Sequence, residues 1–408
     1  MSVEYIEGGV CAAQGFSAAG IHCGVRPNKN KNDLAVIFSS APCSAAGLFT
    51  LNKVKAAPVW LDMETVKGGK ARAIAANSGN ANACAPEGME NALRMRAAAA
   101  KALGIAEGEM LVSSTGVIGQ RLNIEAIEAG LPTAVGKLAH SGAGSEAAAT
   151  AIMTTDTKKK EFACKFTVGG RTAVLGGIAK GSGMIHPNMG TMLCYLTTDC
   201  AVAPDMLRSA LKAACGVTFN RISVDGDTST NDSLIILANG LAGNAEITEK
   251  NADYEAFLAA LTDISTTLAR AMAADGEGAK HLITCAVSGA ADDSAAETLS
   301  KSVIGSTLTK AAIFGCDANW GRVLCAMGYS GVEFDPEAVD ITFKSAAGTV
   351  PVCKSGRGLA FDEELAKKVL TEPEVVIEVK AGDGAGSAVC WGCDLTYDYV
   401  RINGDYRT

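Results

Sequence analysis

Residues Gly176–Asp199 read GGIAKGSGMIHPNMGTMLCYLTTD, a glycine-rich run that passes directly into the apolar segment Met192–Leu196. A surface linker would stay polar at this point, so the pattern predicts a tight turn that delivers Thr191 to the start of a buried strand. Thr191 Oγ is then placed to attack the carbonyl of Gly190. Hydrolysis of the resulting ester would leave Thr191 as a new N-terminus, whose amine can act as base for its own hydroxyl. An inert Gly-Thr turn is the open alternative.

The composition is that of a globular protein built on closely packed small residues. Its 408 residues include 45 glycines, are 48% hydrophobic and only 5% aromatic, and suffice for two domains or for one large domain with a smaller companion. The net charge of −8 disfavours a nucleic-acid surface. The longest basic run, Lys158–Lys160, is predicted to be a solvated turn.

The cysteines and the lengths of the apolar runs indicate the cellular compartment of the protein. The 14 cysteines are scattered among apolar neighbours, which is typical of small buried thiols. Cys390 and Cys393 form a CxxC, but they lie on a predicted strand that would point them to opposite faces, and no second Cys/His pair suggests a metal site. The start MSVEYIEGGV lacks the apolar core of a leader, and no apolar run reaches the ~20 residues of a membrane helix. We therefore expect a cytoplasmic protein without membrane or nucleic-acid partners.

The order of the predicted elements favours an α+β fold over a doubly wound parallel sheet, because antiparallel hairpins accompany the helices. Residues 9–76 read mainly as strands, and Phe162–Val168 with Arg171–Ile178 read as a hairpin. Helices are predicted at Arg121–Gly130 and Ala134–Ala151, among others. The longest predicted helix is Asp253–Ala274, with an apolar stripe at helical spacing, and a more regular helix–strand alternation after it suggests a domain boundary near residues 276–289.

The segment KGSGMIHPNMGTML, residues 180–193, resembles the cleavage motif of the ornithine acetyltransferases, the glutamate N-acetyltransferase family of arginine biosynthesis. The chain departs from it at Gly190, where the family usually has alanine, another small residue. The loop NSGNANA (residues 77–83) and the terminal INGDYRT (residues 402–408) extend the resemblance along the chain.

This resemblance implies an α/β sandwich of stacked sheets with outer helices. With the boundary suggested by the change in pattern, residues 1–280 are predicted to form this larger domain and residues 281–408 a smaller C-terminal α/β domain. The resemblance also implies maturation into an α chain, 1–190, and a β chain, 191–408, and assembly into an α2β2 heterotetramer.

Site residues follow from the same resemblance, motif by motif. A threonine hydroxyl beside a glycine N–H at the tip of a strand can supply two donors to a developing oxyanion, although Ser-Thr-Gly alone is more often an ordinary turn. In the family this motif is the oxyanion hole, which assigns that role to Thr115 and Gly116. The substrate contacts implied by the resemblance are Thr154, with Thr155 and Thr157 as alternative registers, and Lys180, Thr191, Glu277, Asn403 and Thr408.

The implied reaction is a double displacement. Thr191 Oγ would take the acetyl group from N2-acetylornithine and pass it to glutamate, with the α-amine of Thr191, of reference pKa about 7.7–8.0, as the base. No cofactor is expected, and acetyl-CoA is a possible second acetyl donor. Two other classes stay open: an N-terminal-nucleophile aminopeptidase or amidohydrolase of related fold, which would pass the acyl group to water, and a non-enzymatic binding protein.

Overall fold

The computed structural model describes residues 3–186 and 192–405. Gly190, Thr191 and Thr408 lie outside the described residues. The strands are β1 Glu4–Ile6, β2 Phe16–Ile21, β3 Leu34–Phe49, β4 Lys70–Asn80, β5 Met110–Val117, β6 Lys160–Val168, β7 Arg171–Lys180, β8 Leu193–Thr198, β9 Ile222–Ser223, β10 Ser233–Ala238, β11 Leu282–Ala290, β12 Asp340–Ser345, β13 Gly348–Lys354, β14 Arg357–Gly358, β15 Glu374–Lys380 and β16 Gly386–Cys393.

The α-helices flank these strands. They are α1 Ala57–Thr65, α2 Gly88–Leu103, α3 Ile124–Gly136, α4 Gly142–Ile152, α5 Pro204–Val217, α6 Ala252–Ala274, α7 Asp293–Gly305, α8 Thr307–Phe314, α9 Trp320–Gly328, α10 Glu363–Thr371 and α11 Tyr397–Gly404. None of the helices in the described ranges is long and apolar enough to cross a membrane.

The strands form two sheets. Within the described ranges the larger has the order β1-β6-β7-β8-β10-β3-β4-β5, with β2 paired to β3, and the smaller has the order β14-β13-β12-β15-β11-β16-β9. Pairing is mixed: β8 runs parallel to β10, with Leu193 opposite Ser233, and β4 runs parallel to β5, whereas β6 and β7 form the predicted antiparallel hairpin. The architecture is therefore mixed α/β, as predicted. The division into domains 1–280 and 281–408 stays a prediction.

The central strands are buried on both faces. Leu234 and Ile236 of β10 pack into one apolar cluster with α5 and α6, whereas Ile235 and Leu237 pack into another with α4. Successive side chains of a β-strand point to opposite faces of the sheet, which explains this alternation. Helix α6 contacts β6 and β7 of the larger sheet and also β11 and β16 of the smaller one, so it joins the two sheets.

The CxxC lies on β16, and its thiols belong to different apolar clusters. Cys390 packs with the helices of the smaller sheet and Cys393 with the cluster that contains α6, so the predicted opposite orientation is confirmed. All fourteen cysteines fall within the described ranges and are free thiols. Burial raises the pKa of Cys390 to about 11.

Candidate active site

A cavity of about 270 Å³ lies where the ends of several strands meet. The predicted site residues within the described ranges all line this cavity: Thr115, Gly116, Thr154, Lys180, Glu277 and Asn403. Met192 and Leu193, which enter β8, line it as well. The structure thus brings together residues that are up to 288 positions apart in the chain. Gly190, Thr191 and Thr408 are not among the described residues.

The tip of β5 forms one wall. The β4–β5 ladder loses its regular register between Gly79 and Asn80, opposite Gly116. Gly116 has a φ of 133°, and a Cβ at this position would lie 2.4 Å from the carbonyl carbon of Gly79. Only glycine fits this close approach of two backbones. Thr115, 8% exposed, and Gly116 therefore lie at the cavity where the sheet opens.

Asn231 joins the segment before β10 to this wall by two hydrogen bonds. Its Nδ2 donates to the carbonyl oxygens of Ala81, at 2.6 Å, and Ser114, at 2.8 Å. Two residues later, Ser233 N donates to Met192 O at 2.8 Å. The segment entering β8 is therefore held beside the tip of β5 through β10.

Glu277 and Asn403 form the opposite wall. Asn403 Nδ2 donates to Glu277 Oε2 at 2.7 Å, which joins α11 to the loop after α6. Glu277 N donates to Ser182 O at 2.8 Å. A Cβ at Gly183 would lie 2.3 Å from the Glu277 carboxyl carbon. The absence of a side chain at Gly183 therefore provides the space for this carboxylate.

Lys180 is the last residue of β7 and is 9% exposed. Within residues 3–186 and 192–405 its ammonium makes no hydrogen bond within 3.5 Å and no ion pair within 4.0 Å. Burial, together with the charges of Lys160 and Arg26, lowers the pKa of Lys180, although Asp156 and Glu277 oppose the shift. Burying a charged group without a partner costs free energy, so an anionic partner would stabilise this ammonium.

Beneath Lys180 lies a cluster of buried charges. Lys160 Nζ contacts Asp156 Oδ1 at 2.7 Å and Asp275 Oδ2 at 2.6 Å. Lys160 is 1% exposed, so the prediction that Lys158–Lys160 is a solvated turn is wrong for its last residue. Lys158 and Lys159 are exposed, as predicted, but Lys160 begins β6 and turns inward to the two carboxylates.

Asp232 is a buried carboxyl group in the cavity wall. It is 1% exposed, and neither of its side-chain oxygens has a hydrogen-bond partner among the described residues. Burial raises the pKa of Asp232 well above its usual range. The folded protein therefore binds a proton at Asp232 more tightly than the unfolded chain does.

This protonation gives a prediction about stability. Above the unfolded-chain pKa of about 3.9, and up to the raised native pKa, the folded protein holds a proton at Asp232 that the unfolded chain releases. Its contribution to stability is complete below pH ~3.9 and is lost as the pH rises through the native pKa. Asp232→Asn should remove a dependence of at most about 1.4 kcal/mol per pH unit in this window.

Urea unfolding at pH 5, 6.5 and 8 measures this dependence. The free energy of unfolding of Asp232→Asn, relative to the wild type, should increase with pH. The same change at exposed Asp205 is the control and should give a constant difference. A constant difference for Asp232→Asn would show that this carboxyl ionises normally.

The predictions from sequence missed several residues in and beside this cavity. Residues 222–232 resemble an ordinary polar loop, and nothing in their pattern distinguishes Asn231 and Asp232. Asp156, Lys160 and Asp275 were missed because their contacts depend on the tertiary fold. Among residues 3–186 and 192–405, no group of three or more His, Cys, Asp or Glu side chains is arranged to hold a metal ion.

Comparison with known proteins places this α/β chain and its polar cavity in a family. The model of the ArgJ family matches residues 17–408. The chain is 50% identical over 394 residues to the arginine biosynthesis bifunctional protein ArgJ 1 of Clostridium acetobutylicum, covering 96% of each chain. It is 50% identical over 408 residues to the arginine biosynthesis bifunctional protein ArgJ of Symbiobacterium thermophilum, covering 100% of each. The chain belongs to the ArgJ family.

A solved structure is also similar in sequence. It is the ornithine acetyltransferase of Mycobacterium tuberculosis, crystallised in complex with ornithine. The match has 36% identity, covers 47% of this chain and 100% of that chain, and has a TM-score of 0.43.

Proposed function

We propose that this chain transfers the acetyl group of N2-acetylornithine to glutamate through an acetyl ester on Thr191. The observation that carries the proposal is the convergence of Thr115, Gly116, Lys180 and Glu277 on one cavity with Met192, the residue bonded to Thr191. Membership of the ArgJ family, whose curated members are named as arginine biosynthesis proteins, supports the same reaction.

Maturation is the first step of the proposal. Thr191 Oγ attacks the carbonyl carbon of Gly190, the peptide C–N bond breaks, and the freed nitrogen takes the hydroxyl proton. Water then hydrolyses the ester, which leaves a carboxylate on Gly190 and an α-amine on Thr191. The products are an α chain, 1–190, and a β chain, 191–408, which we propose assemble as an α2β2 heterotetramer in the cytoplasm.

Acetyl transfer follows in two displacements. The α-amine of Thr191 takes the Oγ proton while Oγ attacks the acetyl carbonyl. The Thr115 hydroxyl and the Gly116 N–H donate to the oxyanion, the C–N bond breaks, and ornithine leaves with the proton on its amine. The neutral amine of glutamate then attacks the ester, its proton passes to the α-amine, and Oγ regains a proton as N-acetylglutamate leaves.

The charges of the cavity fit amino-acid substrates. The buried Lys180 ammonium suits the carboxylate that both N2-acetylornithine and glutamate carry, and the Glu277 carboxylate, held by Asn403, suits an ammonium group. Thr154 and Thr408 are proposed as further substrate contacts, the former supported by its place in the cavity wall.

Acetyl-CoA is proposed as a second acetyl donor, because the curated relatives are named as bifunctional proteins. No tightly bound cofactor takes part in either displacement.

An assay of products from N2-acetylornithine and glutamate tests the proposal. N-acetylglutamate and ornithine should form in equal amounts, with little free acetate. Acetate as the main product would identify an N-terminal-nucleophile hydrolase, and no product from an uncut chain would favour a binding protein. A parallel reaction with acetyl-CoA and glutamate, without N2-acetylornithine, tests the second donor.

A further inference from the structure

We propose that Lys160 sets the preference of the cavity for carboxylate-bearing substrates, because it occupies Asp156 and thereby keeps the Lys180 ammonium unpaired. The inference rests on the proposed function in assigning Lys180 to the substrate carboxylate. It adds Lys160 and Asp156 as positioning residues, which act through Lys180 and touch no reacting atom.

Both carboxylate oxygens of Asp156 already accept hydrogen bonds from groups other than Lys180. Oδ1 accepts from Lys160 Nζ at 2.7 Å and from Gly181 N at 2.7 Å, and Oδ2 accepts from Thr154 N at 3.0 Å. The three donors lie within hydrogen-bond distance and hold this carboxylate among the cavity walls. Thr154 lines the cavity, and Gly181 directly follows Lys180, which also lines it, so the carboxylate holds two wall segments.

Asp275 joins a third wall segment to the same ammonium. Besides Lys160 Nζ, at 2.6 Å, it accepts from Thr157 N at 3.1 Å and Lys158 N at 3.2 Å. Asp275 is the C-cap of α6 and lies two residues before Glu277. One buried lysine therefore links the segments that carry Thr154, Lys180 and Glu277.

Lys180 lies close to Asp156 without pairing to it. Burial opposes the shift, but the charges of Lys160 and Lys180 lower the pKa of Asp156 far below its usual range. Yet the ion pair within 4.0 Å belongs to Lys160. Without the Lys160 charge, Asp156 would be a buried carboxylate without its cation, and such an uncompensated charge is strongly destabilising, which favours pairing with Lys180.

A comparison of acetyl donors with and without a carboxylate distinguishes a positioning role of Lys160 from a merely structural one. N-acetylputrescine is N2-acetylornithine without its carboxylate, so the ratio of kcat/KM for the two donors measures recognition of that group. In Lys160→Met this ratio should fall at least tenfold, because Asp156 captures Lys180. A merely structural defect would lower both values of kcat/KM and leave their ratio unchanged.

A double variant tests the route through Asp156. In Lys160→Met/Asp156→Asn no carboxylate remains at position 156 to capture Lys180, so the ratio should return to within about threefold of that of Asp156→Asn alone. Asp275 keeps three donors from Thr157 and Lys158 in this variant. Lys158→Met, the same change at an exposed neighbour, is the matched control and should leave the ratio at the wild-type value.

Two results would overturn the inference: an unchanged ratio in Lys160→Met, or a ratio in the double variant that stays tenfold below that of Asp156→Asn. The second comparison decides the matter if Lys160→Met does not fold. If the wild type transfers no acetyl group, the proposed function fails. The ratio of the two dissociation constants, measured by calorimetry on the same variants, then tests the inference without turnover.

Discussion

Replacing Thr191 with alanine is expected to leave the chain as one 408-residue polypeptide and to abolish acetyl transfer. The variant lacks the Oγ that attacks Gly190 in maturation and the same oxygen that accepts the acetyl group, so both activities end together. A denaturing gel should show fragments 1–190 and 191–408 for the wild type, without added protease, and a single band for Thr191→Ala. The product assay should find no N-acetylglutamate from the variant.

Thr191→Ser is the matched control, since it keeps a hydroxyl at this position. It should cut, mature and transfer, at lower rates than the wild type. N-terminal sequencing of the wild-type β chain should begin Thr-Met-Leu-Cys, residues 191–194. A different start, or cleavage in Thr191→Ala, would contradict the assignment of the nucleophile.

Replacing Thr115 with alanine should lower kcat by about 10²–10³ and change KM little. The hydroxyl is proposed to donate to an oxyanion that exists only in the transition state, and loss of one such donor usually costs this much. Steady-state kinetics with N2-acetylornithine and glutamate give both constants. Acetylated β chain should still accumulate at long times, because the Gly116 donor remains.

Thr115→Ser restores a hydroxyl and should recover most of the rate. This rescue separates oxyanion stabilisation from packing, since serine lacks only the methyl group of a residue that is 8% exposed. Full activity in Thr115→Ala would show that Thr115 makes no contribution to the oxyanion hole.

Secondary-structure elements with a distinctive local sequence pattern were predicted well. Strand β5 has the predicted bounds, strands β6 and β7 are each two residues longer at one end than predicted, and helix α6 begins one residue earlier. The predicted ranges of two helices, Arg121–Gly130 and Ala134–Ala151, differ more from the structure. Two N-cap residues determine where these helices begin. Asn123 Oδ1 accepts from Ala126 N, and Ser141 Oγ accepts from Gly144 N, so the helices begin at Ile124 and Gly142.

Contacts between residues that are far apart in the chain leave no such pattern in the local sequence. Lys160 lies in a basic run that resembles a solvated turn, and its partner Asp275 is 115 positions away. The pairing of Asn231 with Ser114 likewise depends on which strands become neighbours. The predicted site residues came from motifs resembling a family, and their common cavity required the fold.

The acetyl ester on Thr191 is the central claim, and intact-mass measurement of the β chain tests it most directly. Purified protein is incubated with N2-acetylornithine in the absence of glutamate, and the β chain is then weighed and fragmented. The account predicts a gain of one acetyl group, located on Thr191 and lost when glutamate is added. A β chain that stays unmodified while the enzyme still turns over both substrates, with intersecting double-reciprocal lines, would contradict it and indicate direct transfer.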